Sequence, residues 1–139
     1  NVYGPRDDPE WRRVISIFAY KMIKKEKPVI FGDGEQTRDF IYVLDIARFI
    51  AGCIHKEPEH RLFNLANSEQ ISVNEIFRLL KEAIGYQGEA EHAGAVKGEV
   101  RDIRLDTTLA RDELGWKPEH SFKEGLGQTA EWFRKAYRQ

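Results

Sequence analysis

Gly32-Asp33-Gly34-Glu35-Gln36-Thr37-Arg38-Asp39-Phe40-Ile41-Tyr42-Val43-Leu44-Asp45 is the stretch around which the rest of the chain organises. Two glycines flanking one aspartate supply the positive φ angles of a tight turn. The run Phe40-Ile41-Tyr42-Val43 then has the pattern of a short strand, and Asp45 stands where a helix cap belongs. Arg38 therefore projects from a loop fixed on both sides. A guanidinium held in this way suits bidentate contact with a phosphate or a carboxylate.

Upstream, Asp8-Pro9-Glu10 predicts a helix start, with Trp11, Val14, Ile15, Phe18 and Met22 on one apolar face. Lys24, Lys25 and Lys27 suit its C-terminal end, and Pro28 stops it before a short strand at Val29-Ile30-Phe31. Downstream, a helix from Asp45 is expected to turn Ile46, Phe49, Ile50, Cys53 and Ile54 inward. Leu62-Phe63-Asn64-Leu65 suggests a brief strand. Ser72-Val73-Asn74-Glu75 matches a capping box and opens a helix that runs to Gly85. From Tyr86 to Val100 the pattern predicts an extended loop with at most a short strand.

Asp106 then caps a short helix closed by Gly115, with Pro118 beyond it. A second capping box, Ser121-Phe122-Lys123-Glu124, opens the last helix, with Leu126, Thr129, Trp132, Phe133 and Tyr137 inward and Arg134, Lys135 and Arg138 at its C-terminal end. The sum is one mixed α/β unit, in an α+β arrangement of four or five helices and a few short strands, without repeats.

The 139 residues, 41% hydrophobic and 12% aromatic, suffice for a real core. With 22 basic and 23 acidic side chains the net charge is −1, so the overall balance attracts neither nucleic acid nor an anionic membrane. Any anion site is local. Cys53 has no internal disulfide partner and is expected to pack as a small hydrophobe in a reducing cytoplasm. No apolar run approaches the roughly 20 residues that span a bilayer, and the first residues lack the order of a signal peptide. Residues His55, His60, His92 and His120 show no metal-ligand spacing, so no metal is expected. Ser72 and Ser121 are explained by capping, which removes the hydrolase reading.

Asn1-Val2-Tyr3-Gly4-Pro5-Arg6, the Gly32 to Asp45 stretch, Phe63-Asn64-Leu65, Leu114-Gly115-Trp116-Lys117-Pro118 and Glu124-Gly125-Leu126 occur in the order seen in NAD-dependent nucleotide-sugar epimerases and dehydratases. The chain resembles the C-terminal half of these extended short-chain dehydrogenases, most closely the UDP-glucose 4-epimerase-like branch. The resemblance implies that residues 1–139 form the C-terminal substrate-binding region, with the last elements of the nucleotide-binding sheet, and that the NAD-binding Rossmann half is absent from them. Whole-enzyme chemistry would be transient C4 oxidation and re-reduction of a UDP-sugar with NAD. This chain alone is expected to bind no NAD and to be inactive. Gly32-Asp33-Gly34 lacks a third glycine and a following helix. A tyrosine with lysine three places on is missing, Tyr20 being followed by Lys21 and Ile23, so no catalytic residue is assigned.

By the same resemblance, Arg38 matches the arginine that contacts the substrate diphosphate, its rival role being a surface ion pair with Asp39 or Glu35. Val29 and Phe31 match the strand that frames the uracil. Asn1 matches an asparagine that reaches the sugar or phosphate. Lys97-Gly98-Glu99 stands where the family shows Arg-Pro-Gly-Asp or Arg-Pro-Gly-Glu, so Lys97 is a candidate second clamp, with Arg101 as a substitute. Lysine neutralises a phosphate but has no bidentate fork. Other readings are a noncatalytic nucleotide-sugar-binding module, a 4,6-dehydratase or decarboxylase part, and a helical interaction fragment. In the whole enzyme the helix after Asp45 and the Phe63–Leu65 strand would pack on the missing half. Ile46, Phe49, Ile50, Phe63 and Leu65 are thus expected to be partly exposed and to drive self-association.

Overall fold

In the computed structural model, which describes residues 1–137, short strands alternate with helices. The order is β1 (Val2–Tyr3), α1 (Val14–Ile23), β2 (Val29–Phe31), β3 (Thr37–Arg38), β4 (Ile41–Tyr42), α2 (Val43–Gly52), β5 (Ile71–Ser72), α3 (Val73–Ile84), β6 (Glu91–Ala93), α4 (Thr108–Leu114) and α5 (Phe122–Tyr137). The strands form three two-stranded sheets: β1 with β4 and β2 with β6 run parallel, and β3 with β5 runs antiparallel. The Tyr86–Val100 segment thus contributes one short strand, as its sequence allowed. Arg138 lies outside the described residues.

Packing of α1, α3 and α5 forms the main core, in which Ile15, Phe18, Ile76, Leu80, Leu126 and Phe133 are buried. Each comes from a helix face with apolar residues three or four apart, so the stripes meet while the charged faces stay in water. A smaller cluster centres on Ile41, Ala110 and Trp116, with Ile46, Phe49, Phe63 and Leu65 against it. The Trp116 indole nitrogen donates to the Ala66 carbonyl at 2.9 Å, which satisfies its one donor inside the cluster.

Several expected elements differ in detail. Asp8 caps only a 3-10 turn, Pro9–Trp11, accepting from the Glu10 amide at 2.9 Å. Arg12 then takes a left-handed conformation, φ 53°, and interrupts the helix. Trp11 is 70% exposed instead of inward, with the Arg13 guanidinium over its ring at 5.0 Å. Strand β4 keeps only Ile41 and Tyr42, because the chain turns into α2 at Val43. Asp45 is accordingly no cap. It sits 3% exposed in the first turn of α2 and accepts from the Glu119 and His120 amides at 3.2 and 3.1 Å and from His120 Nδ1 at 2.6 Å.

No strand forms at Leu62–Leu65, although Phe63 and Leu65 pack inward. On α2, Ile46 and Phe49 face the small cluster, whereas Ile50 and, beyond the helix, Ile54 stay 59% and 74% exposed. The first capping box is half made: Ser72 accepts from the Glu75 amide, but the Glu75 carboxylate pairs with Arg78. The second is complete, Ser121 and Glu124 each accepting from the other's amide. Asp106 stands one residue before the α4 cap, Thr107, and accepts from the Thr108 amide at 2.9 Å.

The deciding stretch closes as its glycines predict. Gly34, φ 75°, also lies so close to the Asn74 side chain that a β-carbon would collide with it. Asn74 Nδ2 in turn donates to the Asp33 carbonyl at 2.9 Å, fastening the turn to α3. Asp39, 1% exposed, turns inward and accepts from the Asn67 amide at 3.1 Å and the Leu105 amide at 3.2 Å, while its carbonyl accepts from the Asn1 nitrogen at 2.7 Å. Truncating Asp39→Ala leaves two part-buried amides without their acceptor. Urea denaturation is expected to show a loss of about 2–4 kcal/mol, and Asp39→Asn, which keeps one acceptor oxygen, a smaller loss.

Candidate functional site

Arg38 owes its position to the pairing of β3. Its Cα partner across the sheet is Ile71, and the neighbouring Thr37 exchanges backbone bonds with the 101–103 segment: the Thr37 amide to the Arg101 carbonyl at 2.9 Å and the Ile103 amide to the Thr37 carbonyl at 3.2 Å. The Thr37 hydroxyl adds a 2.6 Å bond to Asp102. From this frame the Arg38 side chain, 18% exposed, donates Nη1 to the Thr37 and Arg101 carbonyls at 2.7 and 3.1 Å and Nη2 to Glu99 at 2.8 Å. The expected rival pairings with Asp39 and Glu35 do not form. Asp39 is buried on the backbone, Glu35 accepts from Asn74, and the acid that meets Arg38 comes instead from the loop after β6.

Arg38 lines a cavity of about 450 Å³ together with Asn1, Asp7, Arg13, Phe40 and Glu99. A second hollow of about 210 Å³ is lined by Phe31, Asp33, Val96 and Arg101, and shares Gln36 and Glu99 with the first. The two hollows therefore adjoin along those side chains. Arg101 pairs with Asp33 at 3.1 Å. The Glu35 amide, then the Arg101 guanidinium, hold the Asp33 carboxyl below its ordinary range. The wall thus alternates charges, Arg38 with Glu99 and Arg101 with Asp33, and phosphate oxygens entering it meet two arginines already paired with carboxylates.

Of the candidates named from the sequence, the fold brings Arg38 and Asn1 to the first hollow and Phe31 and Arg101 to the second. Val29, half-buried in β2, lines neither hollow. Lys97 stands exposed at a turn away from both walls, while its neighbour Val96, 52% exposed, lines the second. Asp7 and Arg13 were missed. They flank the helix start expected at Asp8-Pro9-Glu10, and nothing in the local pattern sets them beside Arg38 and Glu99.

Two sequence features need correction. Tyr20-Lys21-Met22-Ile23-Lys24 does have the Tyr-x-x-x-Lys spacing, which places lysine four positions on and not three. Tyr20 nevertheless packs edge-on to Tyr137, with ring centroids 5.2 Å apart, and Lys24 is the exposed C-cap of α1; neither lines the Arg38 cavity. Gly125-Leu126-Gly127 is a further Gly-x-Gly, but it lies inside α5. Gly32-Asp33-Gly34 joins β2 to the β3 segment. Among the described residues neither glycine pair sits at a strand-to-helix turn, so neither forms the cradle that a dinucleotide pyrophosphate requires. The fold also gathers Glu59, His60 and Glu113, whose ligand atoms lie within 4.8 Å of one another. His60 there pairs with Glu113 through its ring and donates its amide to the same carboxylate at 3.2 Å.

Residues 1–129 match the GDP-mannose 4,6-dehydratase family. The chain belongs to that family. Over 135 residues it is 44% identical to a putative UDP-glucose 4-epimerase of Methanocaldococcus jannaschii, a match that covers 96% of this chain and 43% of that protein. The structure of UDP-glucose 4-epimerase from Thermotoga maritima, solved with UDP-glucose, superposes with a TM-score of 0.91 at 43% identity over 98% of this chain and 44% of that one. The UDP-glucuronic acid 4-epimerase of Bacillus cereus, solved with UDP-glucuronic acid and NAD, gives a TM-score of 0.88 at 27% identity over 99% and 44%. This member of the GDP-mannose 4,6-dehydratase family therefore spans less than half the length of the relatives it matches, and the expected likeness to nucleotide-sugar epimerases is shown. No helix among the described residues is long and apolar enough to cross a membrane.

The Thr37 hydroxyl bonds to the Asp102 side chain and accepts from Gln70 at 3.0 Å, so it fastens the 101–103 segment beneath Arg38. Thr37→Val keeps the β-branched shape and removes these bonds. Amide hydrogen exchange at Ile103 is expected to accelerate about three- to tenfold, the loss of one or two net hydrogen bonds, with that of Leu80 in the main core unchanged.

Proposed function

We propose that this chain is the nucleotide-sugar-binding part of a UDP-sugar 4-epimerase-like enzyme, with the NAD-binding half outside these 139 residues. The observation that carries the reading is the position of Arg38: a half-buried guanidinium fixed by β3 pairing, in a cavity shared with Asn1 and next to the hollow of Phe31 and Arg101. Similarity to UDP-glucose and UDP-glucuronic acid 4-epimerases supports a UDP-sugar as the occupant. Diphosphate oxygens compete with Glu99 for Arg38 and with Asp33 for Arg101, and their two negative charges favour the exchange. Phe31, 48% exposed at the second hollow, offers a face for the base. Val29, on the same strand as Phe31, and Lys97 line neither hollow and are given no part in the site.

The part played by these residues is binding and orientation. Because neither glycine pair makes a dinucleotide cradle and the Tyr20–Lys24 pair lies away from the cavity, the chain alone is expected to turn over no UDP-hexose in the presence of NAD. A coupled assay on the purified chain measures this, and sustained turnover would overturn it. A noncatalytic nucleotide-sugar module shares the same site, and is separated from the enzyme part by the chemistry of the protein that carries the chain.

Calorimetric titration with UDP tests the site. Arg38→Ala is expected to weaken binding by about 1.5–3 kcal/mol, the loss of charge-assisted hydrogen bonds. Equal binding by wild type and variant would remove Arg38 from the clamp.

Self-association is the remaining expectation, narrowed by the fold. Phe63, Leu65, Ile46 and Phe49 cover one another around Trp116, while Leu44, Ile50, Ile54, Leu62 and Leu109 stay exposed. A second copy of the chain is the proposed cover. Sedimentation at micromolar concentration is expected to show dimers that Ile50→Glu disperses; a wild-type monomer would refute it.

A further inference from the structure

Away from the Arg38 cavity, the segment after α2 meets the end of α4 and brings three ligating side chains together. Lys56 donates to the Leu114 carbonyl, and this clasp carries Glu59 and His60 to Glu113 on the same helix. The His60 amide donates to Glu113 Oε2 at 3.2 Å, and the His60 ring nitrogen Nδ1 meets Oε1 of that carboxylate. One ligand atom from each of Glu59, His60 and Glu113 lies within 4.8 Å of the others. Water reaches all three residues: Glu59 is exposed, and the side chains of His60 and Glu113 are 54% and 20% exposed. None of them lines either hollow beside Arg38.

We propose that Glu59, His60 and Glu113 bind a divalent transition ion of the zinc class, a site independent of the nucleotide-sugar reading. One imidazole nitrogen and two carboxylate oxygens make a three-ligand set, to which water adds the fourth corner of a tetrahedron. The imidazole sets this cluster apart from an ordinary acidic patch and turns it against Mg²⁺ and Ca²⁺, which prefer six or more oxygens. Two glutamate charges balance the ion, and among the described residues their one ionic partner is His60 itself. With bonds of about 2.1 Å, the ligand atoms of a tetrahedral zinc site stand about 3.4 Å apart. Atoms already within 4.8 Å reach that spacing by small side-chain rotations. The ion takes the place of the proton between Nδ1 and Oε1, which passes to Nε2 or leaves to water. Histidine spacing along the chain could not show this set, because His60 and Glu113 stand 53 positions apart.

Calorimetric titration of the tag-free 139-residue chain with Zn²⁺ tests the site. One ion is expected to bind per chain, and an excess of Mg²⁺ or Ca²⁺ is expected to leave that binding in place. Co²⁺ in place of Zn²⁺ is expected to give the intense visible absorption of a four-coordinate ion. His60→Ala and Glu113→Gln each remove a ligand and are expected to weaken Zn²⁺ binding at least about tenfold. Glu59→Gln keeps a carbonyl oxygen and is expected to lose less, while His92→Ala, which removes an exposed histidine elsewhere, is expected to change nothing. A wild-type chain that takes up no Zn²⁺ overturns the proposal. So does binding that His60→Ala leaves intact, which marks an adventitious ion only. Circular dichroism checks that the variants keep their helices; where one does not, the Co²⁺ spectrum of the wild type decides, and the weak absorption of a six-coordinate ion counts against the site.

Discussion

A buried carboxylate holds this structure in register. Asp39 draws the amides of Asn67 and Leu105 to its two oxygens and the nitrogen of Asn1 to its carbonyl, so three distant stretches converge on one residue. Sheets of two or three residues per strand cannot fix a fold by their ladders alone. Charge-assisted bonds from backbone amides supply the missing definition, and a second acid, Asp45, does the same at the entrance to α5. Arg38 lies next to Asp39 in sequence and on the other side of the backbone. The outward guanidinium is therefore aimed by the inward carboxylate, and the two residues divide the cavity wall from the support beneath it.

The alternating charges of the cleft follow from this arrangement. Arg38 and Arg101 are each held near the other, one through its backbone partner and one through a carbonyl contact, yet each also has an acid beside it. With both arginines paired, the wall has little net field to draw anions in general. Only a ligand that offers two or more oxyanions at once replaces two carboxylates with stronger partners. Weak single anions gain little from such an exchange.

Much of the fold could be read from local pattern. Helix faces such as Ile76, Phe77 and Leu80, the Ser121 capping box, and the glycines that end α3 and α4 in left-handed conformation are properties of a few consecutive residues. Errors arose where a distant partner outweighs local preference. Asp45 has the pattern of a cap, but the free amides of Glu119 and His120 lie 74 and 75 positions away. Trp11 has the spacing of a core residue, but the left-handed Arg12 carries it into solvent. The site divides along the same line. The place of Arg38 could be read because its turn and strand are contiguous, whereas Glu99 as its partner and Asp7 on the same cavity wall exist only after the chain has closed. Lys97 was singled out by likeness to a motif, and a shift of one residue sets Val96 on the wall in its place.

Strand β1 is two residues long, and beside its pairing with β4 it is fastened to the far end of the chain. The Tyr3 hydroxyl donates to the Phe122 carbonyl at 3.1 Å across 119 residues, and Gly125 is so close to that hydroxyl that no β-carbon fits between them. Burial drives the Tyr3 phenol well above its ordinary range, so it remains a donor through the physiological span of pH. The order of folding then matters. Residues Asn1 to Tyr3 on the cavity wall therefore lack this contact until α5 has packed. Contacts of such long sequence separation form late, because loop closure precedes any reward. The Arg38 cavity is thus expected to close late in folding, after α1, α3 and α5 have packed.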